Sequence, residues 1–210
     1  MLDNGALKCW GSGQFGQLGS GDTGNFGDAL GEMGDSLPAV AFGLNATTSI
    51  LQIACGGSHT CAVLTGGRLR CFGHNVFGQL GNNGTGNVGD DEGEMGVSLG
   101  DPGVVAGWRV VKVACGWQHT CALVEGGRVL CWGLANVGQA GAGNPLSLTS
   151  SGAPPAVDIA TGTTHTCVSL GTSVKCLGSG GYGQLCNGQG ISWGAQVETM
   201  GDALPYALLA

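Results

Sequence analysis

Residues 54–73, Ala-Cys-Gly-Gly-Ser-His-Thr-Cys-Ala-Val-Leu-Thr-Gly-Gly-Arg-Leu-Arg-Cys-Phe-Gly, return almost intact as residues 114–133. A looser copy runs from Ala160 to Gly178, and the chain opens on the tail of another, Gly5 to Gly11. This self-similarity constrains the fold more than any other feature, because a repeated unit of this size is a supersecondary element that buries its apolar face only against its neighbours.

Within each copy, two runs of branched, small and aromatic residues flank a glycine-containing connection, which predicts a β-hairpin. If the first turn centres on Gly66, Cys61 faces Cys71, and centring the second on Gly126 makes Cys121 face Cys131. The third copy is one residue shorter in the turn, and Cys167 still faces Cys176. Directly opposed antiparallel residues lie ~4.5 to 5.5 Å apart at Cα, within disulfide reach. Three hairpin-stapling disulfides are therefore expected: Cys61–Cys71, Cys121–Cys131 and Cys167–Cys176. The alternative is small, buried, reduced cysteines. Against it, the deletion in the third copy falls between the two cysteines and leaves them opposed. Cys9, Cys55, Cys115 and Cys186 find no partner by this reasoning.

The surrounding composition agrees. With 44 glycines in 210 residues and no triplet period, the chain reads as short strands joined by many tight turns, and helix is disfavoured almost throughout. A formal net charge of −7 with only seven basic residues disfavours a nucleic-acid partner. No apolar run approaches the ~20 residues of a membrane span, and no secretion signal follows Met1, so a signal would lie outside this chain or have been removed. Paired cysteine at this density (10 in all) points to an oxidising compartment.

Each hairpin is followed by a glycine-rich loop: Gln14 to Gly19, Asn75 to Gly81, Asn136 to Gly141 and Gly181 to Cys186, each carrying a Gly-Gln pair. Glycine permits positive φ and the Gln amide can bond the turn, so these read as structural connections. Longer insertions follow in two units, where residues 23–37 align without gaps on 85–99, and a worn copy spans 194–204. Their acidic residues, Asp28, Glu32, Asp90 and Glu94, are weak calcium candidates. In the last copy Ala195 and Thr199 replace them, whereas the methionines Met33, Met95 and Met200 persist and are expected to pin each loop to its sheet. The third unit carries Pro145, Pro154 and Pro155 in a Ser- and Gly-rich link instead.

His59, His119 and His165 are equivalent, one per unit, and each is expected to bond backbone between strands through a ring nitrogen rather than to converge on a metal. Trp10, Phe72, Trp132 and Leu177 are also equivalent and read as packing residues. Trp108, Trp117 and Trp193 stand outside the repeat register and are the binding candidates. No catalytic residue is expected, because no nucleophile elbow, phosphate loop or opposed carboxylate pair interrupts the repeat.

Repeated Gly-x-x-His-Thr-Cys-Ala-Leu, a glycine turn, Val-x-Cys-Trp-Gly and Asn-x-x-Gly-Gln-Leu-Gly together resemble the regulator of chromosome condensation repeat family over nearly the whole chain. The resemblance implies an all-β, β-propeller architecture of four-stranded antiparallel blades, commonly seven. The chain would then hold about four repeats (1–50, 51–108, 109–155 and 156–210) as an arc of a larger propeller. Known members include the exchange factor for the small GTPase Ran, a propeller-type β-lactamase inhibitor, receptor ectodomains and secreted proteins. Function transfers poorly across such a fold. The residues favour a non-catalytic extracellular scaffold or binding module, secreted or at the cell surface, with a protein or glycan partner or further copies of an extracellular assembly. An enzyme inhibitor and an exchange factor are the alternatives. No cofactor is expected beyond the calcium possibility.

Overall fold

A computed structural model describes residues 1–3, 5–43, 47–142, 146–147 and 154–208; Pro145 and part of the Ser-rich link lie outside them. Three twisted antiparallel sheets follow one another along the chain. The first holds β1 (Ile50–Cys55), β2 (His59–Leu64) and β3 (Arg68–Gly73), and the second holds β4 (Val110–Cys115), β5 (His119–Val124), β6 (Arg128–Gly133) and the short β7 (Leu146–Ser147). The third holds β8 (Asp158–Thr161), β9 (His165–Ser169) and β10 (Val174–Gly178). Ahead of them, residues 7–11 form an outgoing strand segment held by the bridges Lys8 to Ala39 and Gly11 to Phe26.

The hairpin register pairs Cys61 with Cys71, Cys121 with Cys131 and Cys167 with Cys176. Three residues turn β2 into β3, with Gly66 and Gly67 both at positive φ. In the third sheet Leu170 N–H donates to the Ser173 carbonyl across a two-residue turn with Gly171 at φ 89°, so the residue is lost without shifting the ladder.

Four-stranded blades are only partly realised. Among the described residues outside the second sheet, isolated bridges take the place of the fourth strand: Gly73 to Val88 in the first sheet, and Gly178 to Trp193 and Lys175 to Tyr206 in the third. The Gly- and Asp-rich stretches around these bridges lack the β-branched and aromatic side chains that sustain a long pleated ladder.

Strands β2 and β5 are buried along their whole length, because each sheet packs against a neighbour on both faces. Among the described residues the core forms three clusters, each lying between successive units. Leu7 and Phe42 pack on Leu64 and Phe72; Cys61 and Cys71 lie with Val113 and Trp132; and Cys121 and Cys131 lie with Ile159 and Leu177. Strand alternation thus turns the first two disulfides toward the following sheet, and Phe72 and Trp132 toward the preceding unit.

Candidate functional site

The joint between sheets repeats atom for atom. The Thr120 hydroxyl donates to the Gln79 carbonyl at 2.8 Å, and His59 Nε2 lies 2.8 Å from the same hydroxyl oxygen. Thr166 donates to the Gln139 carbonyl at 2.8 Å and meets His119 Nε2 at 2.9 Å. Since each Thr proton is committed to a carbonyl, the ring must donate from Nε2, which leaves Nδ1 as a bare acceptor. The buried Nδ1 atoms of His59 and His119 have no partner among the described residues. The ring edge lies against Gly116, where an added Cβ would come within 2.0 Å of His119 Cε1, so only glycine fits there. Burial, and then the neighbouring histidines, hold His59 and His119 down at about 4.

Backbone bonds extend this joint to the turns. Gly57 N–H donates to the Trp117 carbonyl and Trp117 N–H to the Thr163 carbonyl, both at 3.2 Å. Together with Cys55, Cys115 and Thr161 these turns line a depression of about 300 Å³. Trp117, 56% exposed, stands at its edge. Ligand atoms of His59, Cys61 and Cys115 come within 4.8 Å of one another, yet the Cys61 sulfur is bonded to Cys71 and His59 Nε2 to Thr120. Burial, reinforced by Cys55, pushes the Cys115 thiol far above its usual range, which disfavours the thiolate that a metal ligand or nucleophile requires.

The three tryptophans do not form one surface. Trp108 precedes β4 and Trp117 follows it, which puts them at opposite ends of a six-residue strand, ~20 Å apart along its axis. Trp108 carries the Arg128 guanidinium 5.1 Å above its ring. Trp193 is half-buried against the core beside Gly178, and its indole N–H has no partner among the described residues. Cysteine sulfurs are joined as Cys61–Cys71, Cys121–Cys131 and Cys167–Cys176, each across 4.1 Å at Cα. Cys9, Cys55, Cys115 and Cys186 are free thiols.

The acidic loops close on themselves. Glu32 Oε2 accepts from the N–H groups of Gly27, Asp28 and Ala29 at 2.8 to 3.1 Å. Glu94 Oε2 accepts from Gly89 and Asp91, at 2.7 and 3.2 Å. Asp28 and Asp90 each accept from a loop asparagine, Asn25 and Asn87. In the third loop Thr199 Oγ1 takes the Gln196 N–H at 3.3 Å. What the alignment shows as a lost charge is a conserved acceptor role, visible only once the loop is folded. The methionine sulfurs sit on the aligned glycines: a Cβ would meet them at 3.0 Å on Gly27, 3.2 Å on Gly89 and 3.1 Å on Gly194. Glu94→Ala is expected to cost about 1 to 2 kcal/mol, while Glu94→Thr recovers part of it, as read from the denaturation midpoint.

The Gly-Gln turns likewise cap themselves, with Gln17, Gln79, Gln139 and Gln184 Oε1 each accepting the N–H two residues earlier at 2.8 to 3.0 Å. The carbonyls of the first three take the Thr hydroxyls of the next sheet. Sequence spacing identified these Gln residues as turn formers; their second role needed the distance between sheets.

Radially repeated small antiparallel sheets, packed face to face through a recurring side-chain joint, define a segment of a β-propeller. The regulator of chromosome condensation (RCC1) repeat pattern matches residues 4–63 and 66–123, and a second pattern of the same description matches 50–79 and 110–139. The chain belongs to that family. It is 35% identical over 143 residues to the ultraviolet-B receptor UVR8 of Arabidopsis thaliana, covering 68% of this chain and 28% of that protein. To the human protein described as "Probable E3 ubiquitin-protein ligase HERC4" it is 34% identical over 209 residues, covering 94% of this chain and 18% of that one. Human WBSCR16 superposes with a TM-score of 0.67 at 20% identity, over 91% of this chain and 47% of that structure. Yeast RCC1 (Prp20), crystallised with Kap60, gives 0.64 at 20% identity over 91% and 44%. The chain therefore spans less than half the length of each of these proteins. Among the described residues no helix is long and apolar enough to cross a membrane.

Proposed function

We propose that this chain is part of a non-catalytic binding module of an oxidising, extracellular compartment, presenting the turn-lined end around Trp117 to a protein or glycan partner. The observation that carries the reading is the staple in each of the three sheets, two of them buried between sheets where reduced thiols would serve the packing equally well. A cytosolic chain has no use for three such bonds, since the glutathione pool keeps thiols reduced. The acidic loops hold their own N–H groups with their own carboxylates, so the reading needs no calcium. Removing calcium with a chelator is expected to leave the melting temperature unchanged within about 1 °C, against the several degrees that loss of a bound ligand produces.

Relatives supply the second reading, a regulator that docks proteins inside the cell. A study of yeast Prp20 concerns binding to Gsp1p and histones, and Prp20 was crystallised with Kap60. Alkylating the protein in its native setting before lysis separates the two. Unalkylated Cys61, Cys71, Cys121, Cys131, Cys167 and Cys176, recovered as three linked peptide pairs, are expected. Full alkylation of these six overturns the extracellular assignment and leaves the intracellular one.

A further inference from the structure

One end of the sheets carries no formal charge on any turn. The turns that join β1 to β2, β4 to β5 and β8 to β9 (55–60, 115–120 and 161–166) contain no Asp, Glu, Lys or Arg. Nor do the loops that leave β3, β6 and β10 at the same end (73–81, 133–141 and 178–186), nor residues 11–19. The chain as a whole has 14 acidic and seven basic residues. Backbone bonds of 2.8 Å tie each loop to the turn beside it, from His74 N–H to the Ser58 carbonyl, Leu134 to Gln118 and Ser179 to Thr164. This end therefore offers a partner aromatic faces, hydroxyls, amides and backbone, and no ion.

Two side chains there break the repeat. Trp117 stands where the other units have Gly57 and Thr163, and its indole lies over Gly57, 2.7 Å from where a Cβ would be. His74 stands where the other loops have Ser12, Leu134 and Ser179. Its ring centroid lies 4.6 Å from that of Phe15 and 6.3 Å from that of Phe77. Gln79 Oε1 is held by the Phe77 N–H, so the amide nitrogen turns to His74 and donates to Nδ1 at 2.8 Å. The neutral ring then carries its proton on Nε2, a donor with no partner among the described residues. Ser58 lies between the two, next to Gly57 in the chain and bonded through its carbonyl to His74.

We propose that this end binds a neutral glycan, one sugar stacking on Trp117 in the depression beside Thr163 and the next placing its hydroxyls on Ser58 and His74 Nε2–H. The proposal rests on the reading of the Trp117 end as the binding end and names its partner. An uncharged sugar has an apolar C–H face, which the electron-rich indole attracts, and a rim of hydroxyls that both donate and accept. An acidic glycan or a phosphate needs a cation opposite it, and this end has none. Protein partners are selected largely through complementary charge and arginine anchors, which are equally missing here.

Cellohexaose, chitohexaose, xylohexaose and mannohexaose, titrated calorimetrically into the full chain, test this, with hexagalacturonate as the charged comparison. At least one neutral hexasaccharide is expected to bind with the same affinity in about 0.05 and about 0.5 M NaCl, since no ion pair is there to screen. Hexagalacturonate is expected to bind at least about 10-fold more weakly. Trp117→Gly, the residue of the first unit, is expected to weaken binding about 10-fold. His74→Ser, the residue of two other loops, is expected to weaken it about 5-fold, and Arg128→Gln at the hairpin end leaves it unchanged. If no neutral hexasaccharide binds, or the uronate binds best, the proposal is overturned and the Trp117 end is left to a protein partner; these outcomes require no variant and so do not depend on its folding. Saccharide binding that survives Trp117→Gly and His74→Ser but falls with Arg128→Gln overturns the reading of this end as the binding end.

Discussion

Lowering the pH from 7 to 4 is expected to remove about 3 kcal/mol of stability for each of His59 and His119, an effect comparable with the whole stability of a small domain. Both rings sit at about 4 in the folded protein against 6.5 for an ordinary histidine. The unfolded chain therefore binds more protons between these values. Stability is fully present above pH 6.5 and declines as the pH falls through that window. The structural cause is the commitment of Nε2–H to a threonine oxygen whose own proton is committed to a carbonyl. A second proton must then go on Nδ1, which faces Gly56 or Gly116 with no acceptor in reach. Denaturant midpoints measured at half-unit steps of pH read this directly. His119→Gln is expected to be less stable at pH 7 but to lose about one proton from the pH slope. A wild-type stability that stays flat from pH 6.5 to 4.5 contradicts the proposed tautomer and its burial.

Removing the central staple by the pair Cys121→Ala and Cys131→Ala is expected to cost about 3 kcal/mol on chain-entropy grounds, for a loop closed across a separation of 10 residues. Packing adds to this, because both sulfurs are completely buried between the second and third sheets. Reducing all three bonds removes up to about 9 kcal/mol, enough to unfold an array whose sheets hold one another up in series. The measurement is the guanidinium midpoint with and without reductant. Coincident curves contradict the account of the disulfides as stabilising staples.

Legibility varied with the range of the interaction. Cys61 and Cys71 face each other because counting outward from a turn is a local operation, and a one-residue deletion that preserves opposition reports on pairing without any coordinates. The glutamines of the Gly-Gln turns were legible for the same reason, since each bonds a backbone group two residues away. Glu32, Glu94 and Thr199 were half legible: their alignment was visible, but not that a carboxylate and a hydroxyl do the same task, since that depends on which N–H groups the folded loop gathers. Trp108 and Trp117, grouped by being out of register, are separated by the full length of β4, and Trp193 turns into the core. Register says which residues differ and nothing about which way they face.

By itself the sequence determined the hairpins, their register, the opposed cysteines and the family, because all of these are written in short spacings that recur. Only the tertiary structure decided that the histidine of one unit bonds the threonine of the next, and that this threonine, like Thr60 on Gln17, is also held by a glutamine carbonyl. Those contacts join residues 27 to 61 positions apart, and their partners are set by how one twisted sheet stacks on another, a geometry no local pattern encodes.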